Sequence, residues 1–134
     1  MPVTKSHALQ LRNETDIVHA RQTVRQWATQ MGFSLVDQTK IVTAASELAR
    51  NTVIYGKGGD LRFEGISENG RTGLRLIFED RGPGIPDITL ALRDGYTTGS
   101  GLGLGLGGAK RLSNEFEISS VPGQGTRVRI ARWV

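Results

Sequence analysis

Cysteine is absent from this chain of 134 residues, which excludes disulfide bonds and thiolate metal sites. Long apolar runs are absent too, because no stretch approaches the roughly 20 residues that span a bilayer. The N-terminal MPVTKSHALQ lacks the apolar segment of a secretory signal. We therefore expect a cytoplasmic protein that does not bind membranes.

Aromatic residues are few, with 2 Trp, 2 Tyr and 4 Phe. The 17 Lys and Arg residues outnumber the 13 Asp and Glu residues, but they are scattered along the chain and the net charge is only +4. Nucleic-acid-binding domains usually gather basic residues on one face and offer rings for base stacking. We therefore expect no nucleic-acid partner.

Glycine, in contrast, is abundant, with 18 residues in the chain. Seven of the fourteen residues from Gly95 to Gly108 are glycine, and leucines alternate with several of them. The run continues into AKRLSNEF, which has a helical pattern, whereas a flexible linker would remain polar and without structure. The length fits one domain, predicted to span residues 1–134.

Two amphipathic helices are predicted in the first half of the chain. Apolar residues recur at helical spacing over residues 16–31, and Gly32 then supplies a stop signal. Ser34 followed by Asp37 is typical of a capped helix start. The second helix is predicted to extend over residues 34–54.

Alternating apolar and polar residues predict five strands. The segment HALQLRN is typical of a short edge strand. Two later runs flank Asn69 and Gly70, and EFEISSV and TRVRIARW flank PGQG, so each pair predicts a hairpin. The glycine-rich run and a short helix lie between the hairpins. This order predicts an α+β two-layer sandwich, in which helices cover one face of a mostly antiparallel sheet.

The second predicted helix carries SELARN, in which Glu47 and Asn51 are four residues apart. Such residues share a helix face about one turn from each other. A carboxylate and an amide oxygen there could hold Mg²⁺ and polarise a nucleophile. The alternative is a solvated polar pair, which is common on helices.

A second motif is EDRGPGIPD, where Asp80 closes a predicted strand and precedes Gly82 and Gly84. A carboxylate only accepts hydrogen bonds, so it suits a donor such as the exocyclic amine of adenine. Neighbouring glycines would let a planar base approach the backbone. The alternative is a Pro-Gly turn that simply ends the strand.

The glycine run contains G-x-G-x-x-G at Gly103, Gly105 and Gly108. A dinucleotide site requires a strand directly before this fingerprint and an acidic residue about 20 positions later, and neither is present. Neither a G-x-x-x-x-G-K-[ST] loop nor the H-R-D and D-F-G motifs of protein kinases occur. What remains is a series of backbone amides entering a helix, a geometry that suits phosphate oxygens.

The motifs follow one another as E-x-x-x-N, D-x-G-x-G, G-x-G-L-G-L-G and G-Q-G-T. Together they resemble the sequence boxes of the GHKL ATPase superfamily, whose ATP site is the Bergerat fold. The length and the stretches DQTKIVTAASELARN and GAKRLSNEF resemble the small serine/threonine-protein kinases of bacterial partner-switching modules. The resemblance is greatest to the switch kinases of the stressosome pathway.

The resemblance implies roles for individual residues. Asn51 would be the protein ligand of Mg²⁺, which bridges the ATP phosphates, and Glu47 would be the general base toward a serine hydroxyl. Asp80 would accept a hydrogen bond from the adenine amine, and Thr126 would support the same end of the base, directly or through water.

The glycines are assigned by the same resemblance. Gly82 and Gly84 would shape the base pocket, and the segment from Gly99 to Gly108 would close over the triphosphate as an ATP lid. The nucleotide-binding residues of this lid are implied to be Gly99, Gly101, Leu102, Gly103, Leu104 and Gly105.

Partners follow from the resemblance as well. It implies an ATP-dependent kinase that phosphorylates a serine of a STAS-domain antagonist, with a STAS scaffold as a further partner. The released kinase would bind and activate a PP2C-type phosphatase. The alternative is a related anti-sigma factor kinase that sequesters a sigma factor directly.

Overall fold

The computed structural model describes residues 3–85, 87–92 and 105–134. Within these residues the elements are β1 (Val3–Leu11), α1 (Glu14–Met31), α2 (Leu35–Ile54), β2 (Gly59–Glu68), β3 (Arg71–Asp80), α3 (Ile88–Ala91), α4 (Gly105–Arg111), β4 (Glu115–Val121) and β5 (Gly125–Trp133). The strands form one sheet in the order β1-β2-β3-β5-β4. Each neighbouring pair is antiparallel.

Both long helices end where the sequence predicts, and α2 also begins there, whereas α1 begins at Glu14, two residues before the predicted start. The Asn13 side chain accepts a hydrogen bond of 3.0 Å from the Asp16 amide and caps α1. The Ser34 hydroxyl accepts one of 3.1 Å from the Asp37 amide and caps α2. Gly32 ends α1 with φ of 89°, a left-handed conformation in which glycine has no steric penalty.

Both predicted hairpins are confirmed. Asn69 and Gly70 join β2 to β3 with φ of 52° and 79°, as a tight turn between twisted strands requires. In the second hairpin, Val121 of β4 pairs with Gly125 of β5. The two hairpins meet in the middle of the sheet, where β3 pairs with β5.

The core lies between the sheet and the helices on one of its faces. The rings of Trp27 on α1 and Phe63 on β2 lie 5.5 Å apart, and Phe63 and Phe78 are almost fully buried. Full burial of such a side chain stabilises the fold by about 1.5–3 kcal/mol. The predicted α+β sandwich with an antiparallel sheet is therefore confirmed.

The structure also corrects the bounds of β1 and α4 and adds one helix. β1 covers Val3–Leu11, whereas the segment HALQLRN predicts a shorter strand over residues 7–13. The segment up to Gly108 is predicted as a loop, but α4 already begins at Gly105. Leu106 and Ala109 are buried in the core, and this packing outweighs the low helix propensity of glycine. The four-residue helix α3, capped by the Asp87 side chain, has no counterpart in the prediction because one turn gives no periodic pattern.

No helix within the described part of the chain is both long and apolar enough to cross a membrane.

Candidate functional site

Glu47 and Asn51 lie on the second half of α2, one turn apart, and both are half-buried. The Asn51 carbonyl accepts hydrogen bonds from the amides of Tyr55 and Gly56, each 3.0 Å long. These bonds close the last turn of α2. The side chains of Glu47 and Asn51 therefore lie directly before a helix end that is fixed by its own backbone.

Asp80 is the last residue of β3 and lies against the end of α2. One of its carboxylate oxygens accepts a hydrogen bond of 2.9 Å from the Gly82 amide. A Cβ on Gly56 would overlap the Asp80 carboxyl group. This close approach places Asp80 beside the turn that follows Glu47 and Asn51 on α2.

The loop after Asp80 is shaped by its two glycines. A Cβ on Gly82 would lie 2.8 Å from the Gly56 Cα, and one on Gly84 would lie 2.6 Å from the Val121 carbonyl oxygen. Gly84 also has φ of 78°. The loop therefore passes between the end of α2 and the β4–β5 turn at distances that only glycine allows.

Thr126 is the direct partner of Asp80 across the β3–β5 ladder. Side chains of directly opposite residues project from the same face of a sheet, with Cβ atoms about 4.5–5.5 Å apart. Asp80 and Thr126, predicted on separate motifs, are thus brought side by side. Both are half-buried, so they can contact a ligand.

The structure describes residues 105–108 of the predicted lid, and Gly105 is the one among them that was predicted to bind the nucleotide. It is the first residue of α4, with φ of 68°, and α4 packs against α2. The other predicted lid residues lie outside the described residues: Gly99, Gly101, Leu102, Gly103 and Leu104.

Glu47 and Asn51 present oxygen donors of the kind that Mg²⁺ binds. Among residues 3–85, 87–92 and 105–134, no group of three or more His, Asp or Glu side chains could hold a metal. In the same residues, no hydrogen bond or ion pair engages the side chain of Glu47 or Asn51. Mg²⁺ typically takes one or two protein oxygens and completes its shell with phosphates and water, so these oxygen donors fit it.

The HATPase_c family model, described as "Histidine kinase-, DNA gyrase B-, and HSP90-like ATPase", matches residues 36–133. The chain belongs to this family. The family lies within the GHKL superfamily predicted from the sequence motifs, and its ATPase description supports ATP as the nucleotide. The match includes Asp80, Thr126 and all of α2 except its first residue.

Two curated relatives of this HATPase_c member extend the comparison. The chain is 47% identical to the serine/threonine-protein kinase RsbT of Bacillus subtilis, over 94% of this chain and 95% of the relative. It is 33% identical to the anti-sigma F factor of Clostridium kluyveri, over 81% of this chain and 80% of the relative. The predicted resemblance to partner-switching kinases is confirmed, and so is the predicted enzyme class, a serine/threonine-protein kinase.

A crystal structure of the RsbU and RsbW domains of a Mycobacterium tuberculosis protein superposes with a TM-score of 0.65. The matched part covers 96% of this chain but only 32% of that longer chain, and the two share 22% sequence identity. This likeness confirms the fold of the HATPase_c member.

One strong ion pair lies at the other end of α2. Arg132 of β5 donates a hydrogen bond of 2.8 Å to Asp37 in the first turn of α2 and one of 2.9 Å to the Leu112 carbonyl after α4. The hydrogen bond from Arg132 lowers the pKa of the Asp37 carboxyl below its ordinary value of 3.8. Arg132 thus ties both site-bearing helices to the sheet.

Sequence reasoning misses two residues of the site. Gly56 lies in YGKGGD, which predicts only a helix end, although it contacts both Asp80 and Gly82. Ser120 hydrogen-bonds Thr126 at 2.9 Å. Ser120 lies directly opposite Thr126 on β4. Extending the strand pairing of the predicted hairpin outward from PGQG would have found it.

Proposed function

We propose that this chain is an ATP-dependent protein-serine kinase that phosphorylates a STAS-domain antagonist in a partner-switching module. The proposal is carried by one observation. Asp80, which suits the adenine amine, lies against the end of the helix that holds Glu47 and Asn51. Base recognition and phosphate chemistry can therefore be served by one continuous site.

The adenine would bind at the end of β3. The Asp80 carboxylate accepts from the exocyclic amine, and Thr126 supports the adjacent edge of the base. Gly82 and Gly84 leave room for the flat ring beside the backbone. The half-buried position of Asp80 strengthens its hydrogen bond, since fewer water molecules compete for the carboxylate.

The triphosphate would extend from this pocket along α2 toward Asn51. Asn51 would offer its side-chain oxygen to Mg²⁺, which would supply positive charge that stabilises the negative charge of the phosphates. Glycine amides of the predicted lid, of which the structure describes residues 105–108, would donate to the phosphates from the other side.

Glu47 would accept the proton of the incoming serine hydroxyl. The serine oxygen forms a bond to the γ-phosphorus while the bond from that phosphorus to the bridging β-oxygen breaks, and ADP leaves. Positioning and charge neutralisation supply most of the catalysis in such transfers. General-base assistance typically adds about 10²–10⁴-fold.

Glu47→Gln tests the assignment of the base. This variant should bind ATP–Mg²⁺ with nearly wild-type affinity, because glutamine keeps the size of the side chain. Its phosphorylation of a STAS partner should fall about 10²–10⁴-fold, measured with radiolabelled ATP. Glu68→Gln, at an exposed hairpin position, is the matched control. Wild-type transfer by Glu47→Gln would rule out this base.

Two further substitutions test nucleotide binding itself. Asp80→Asn replaces an acceptor by a group that also donates, and Asn51→Asp adds a charge next to the phosphates. Both should abolish measurable ATP–Mg²⁺ binding by calorimetry while leaving the far-UV circular dichroism unchanged. Retained affinity in both variants would contradict the proposed site.

The partners distinguish two versions of this function. The 47% identity to RsbT favours a kinase that, once released, binds and activates a PP2C-type phosphatase. The 33% identity to an anti-sigma F factor supports a kinase that sequesters a sigma factor. A pull-down with purified STAS scaffold, PP2C-type phosphatase and sigma factor separates the two, and capture of the sigma factor alone would favour the second.

A further inference from the structure

Ser120 lies in a row of polar residues that crosses three strands. Asp80 on β3 is paired with Thr126 on β5, and Thr126 is paired in turn with Ser120 on β4. The Ser120 and Thr126 hydroxyls are 2.9 Å apart. Asp80 and Thr126 are the two residues assigned above to the adenine edge. Ser120 is therefore the neighbour of Thr126 on the side away from Asp80.

The Ser120 hydroxyl has one proton to donate and two lone pairs with which to accept. Its oxygen accepts a bond of 2.7 Å from the Ile85 amide, in the loop after Asp80. The Ser120 proton can be donated either to the Thr126 hydroxyl, 2.9 Å away, or to the Gly125 carbonyl oxygen, 3.2 Å away. The 2.9 Å contact is close to the usual O–H···O length of about 2.7–2.8 Å, and either hydroxyl can be its donor. Two arrangements are therefore open: Ser120 donates to Thr126, or Ser120 donates to the Gly125 carbonyl and accepts from Thr126.

In the arrangement in which Ser120 donates to Thr126, the Thr126 oxygen is the acceptor within the row and its own proton is available to a ligand. A carboxylate that only accepts and a hydroxyl that donates then stand side by side. Adenine offers the complementary pair, a donating amine next to the accepting ring nitrogen N1, whereas guanine offers an accepting O6 next to a donating N1–H.

We propose that Ser120 is a positioning residue that holds Thr126 as a hydrogen-bond donor and thereby makes the site select adenine over guanine nucleotides. The inference rests on the proposed function, since it requires ATP to bind beside Asp80 and Thr126. Ser120 itself touches no nucleotide. The bond from the Ile85 amide also holds the serine oxygen in place.

Ser120→Ala is the direct test, with calorimetric measurement of the Kd values of ATP–Mg²⁺ and GTP–Mg²⁺. The preference for ATP over GTP should fall about three- to tenfold, the size of one neutral hydrogen bond. Ser120→Thr keeps the hydroxyl and should restore the preference. Ser119→Ala, an exposed neighbour on the same strand, should leave it unchanged.

A second measurement uses the unaltered protein and does not depend on the folding of a variant. 1-Deaza-ATP lacks the accepting N1, so the wild-type chain should bind it about three- to tenfold more weakly than ATP. Equal affinities would overturn the donor role of Thr126.

The outcomes separate this inference from the proposed function. If Ser120→Ala weakens ATP and GTP by the same factor, or weakens neither, the positioning role is wrong while the kinase proposal stands. If the wild-type chain does not bind ATP–Mg²⁺ at all, the proposed function fails and this inference fails with it.

Discussion

Gly125 lies where the β4–β5 turn enters β5, with φ of 107°, and a Cβ there would overlap the Asp80 carbonyl oxygen. Gly123, two positions earlier in the same turn, has φ of 79°, but apart from its chain neighbours no atom of the described residues lies within 4 Å of an added Cβ. The two glycines therefore share a left-handed backbone and differ in steric surroundings. Their comparison separates backbone strain from crowding at the site.

Gly125→Ala should destabilise the protein more than Gly123→Ala. The left-handed conformation alone disfavours alanine by about 1–2 kcal/mol. We expect the free energy of unfolding to fall by this amount for Gly123→Ala. At position 125 the β3 backbone must also move, so we expect a total loss above about 3 kcal/mol. Urea denaturation measures both losses. Equal losses would show that the contact with Asp80 relaxes freely.

At the residue scale, the sequence predicts the side chains whose chemistry is evident from their neighbours. Asp80 with its glycines, and Glu47 with Asn51, are local motifs. Ser120 is not predicted as part of the site because its role depends on strand register and on an amide 35 positions away in sequence.

At the scale of elements, Arg132 joins β5 to the start of α2 and to the end of α4. Its side chain is 12% exposed, and it donates to Asp37 and to the Leu112 carbonyl. Breaking a partly buried pair of this kind leaves a charge without its partner. The bridge should therefore stabilise the packing of both helices on the sheet, in a manner that depends on pH.

Asp37→Asn should abolish that pH dependence. The pKa of Asp37 is lower in the folded protein than the 3.8 of an ordinary carboxyl. Its ionised form therefore stabilises the fold fully above the unfolded pKa, and the stabilisation is lost as the pH falls through the lower folded pKa. Urea midpoints of wild type and Asp37→Asn should differ at about pH 7 and converge as the pH falls below about 4.

Arg132→Met supplies the control for this prediction, because it removes the group that lowers the pKa of Asp37. In this background, adding Asp37→Asn should change the midpoint by the same small amount at every pH. If the difference in urea midpoint between wild type and Asp37→Asn stays constant as the pH falls below about 4, the bridge does not depend on the charge of Asp37.

The elements themselves were largely predictable because their signals are local. Asn69 with Gly70 specifies a hairpin, and Ser34 with Gly32 separates two helices, without help from distant residues. The start of α4 was not predictable in this way. Glycine disfavours helix locally, and only the burial of Leu106 against the core, a tertiary effect, reverses that preference.

At the scale of the whole molecule, the two tryptophans report on opposite faces of the sheet. Trp27 lies in the core between α1 and the sheet, where its ring contacts Phe63. Trp133 lies on the other face, where its indole N–H donates to Glu115 and its ring closely approaches Gly73. We propose that residues 1–134 form one cooperative domain, so both tryptophans should detect the same unfolding transition.

Trp27→Phe and Trp133→Phe each leave one fluorescent probe and test this proposal. In each variant, the urea midpoint from fluorescence should coincide with that from far-UV circular dichroism. ATP–Mg²⁺ at about 100 times its Kd should raise the free energy of unfolding by about 2.7 kcal/mol for both probes, and Asp80→Asn should remove this increase. A ligand shift at only one probe would mean that the faces unfold separately, because ligand binding to one cooperative unit stabilises every part of it equally.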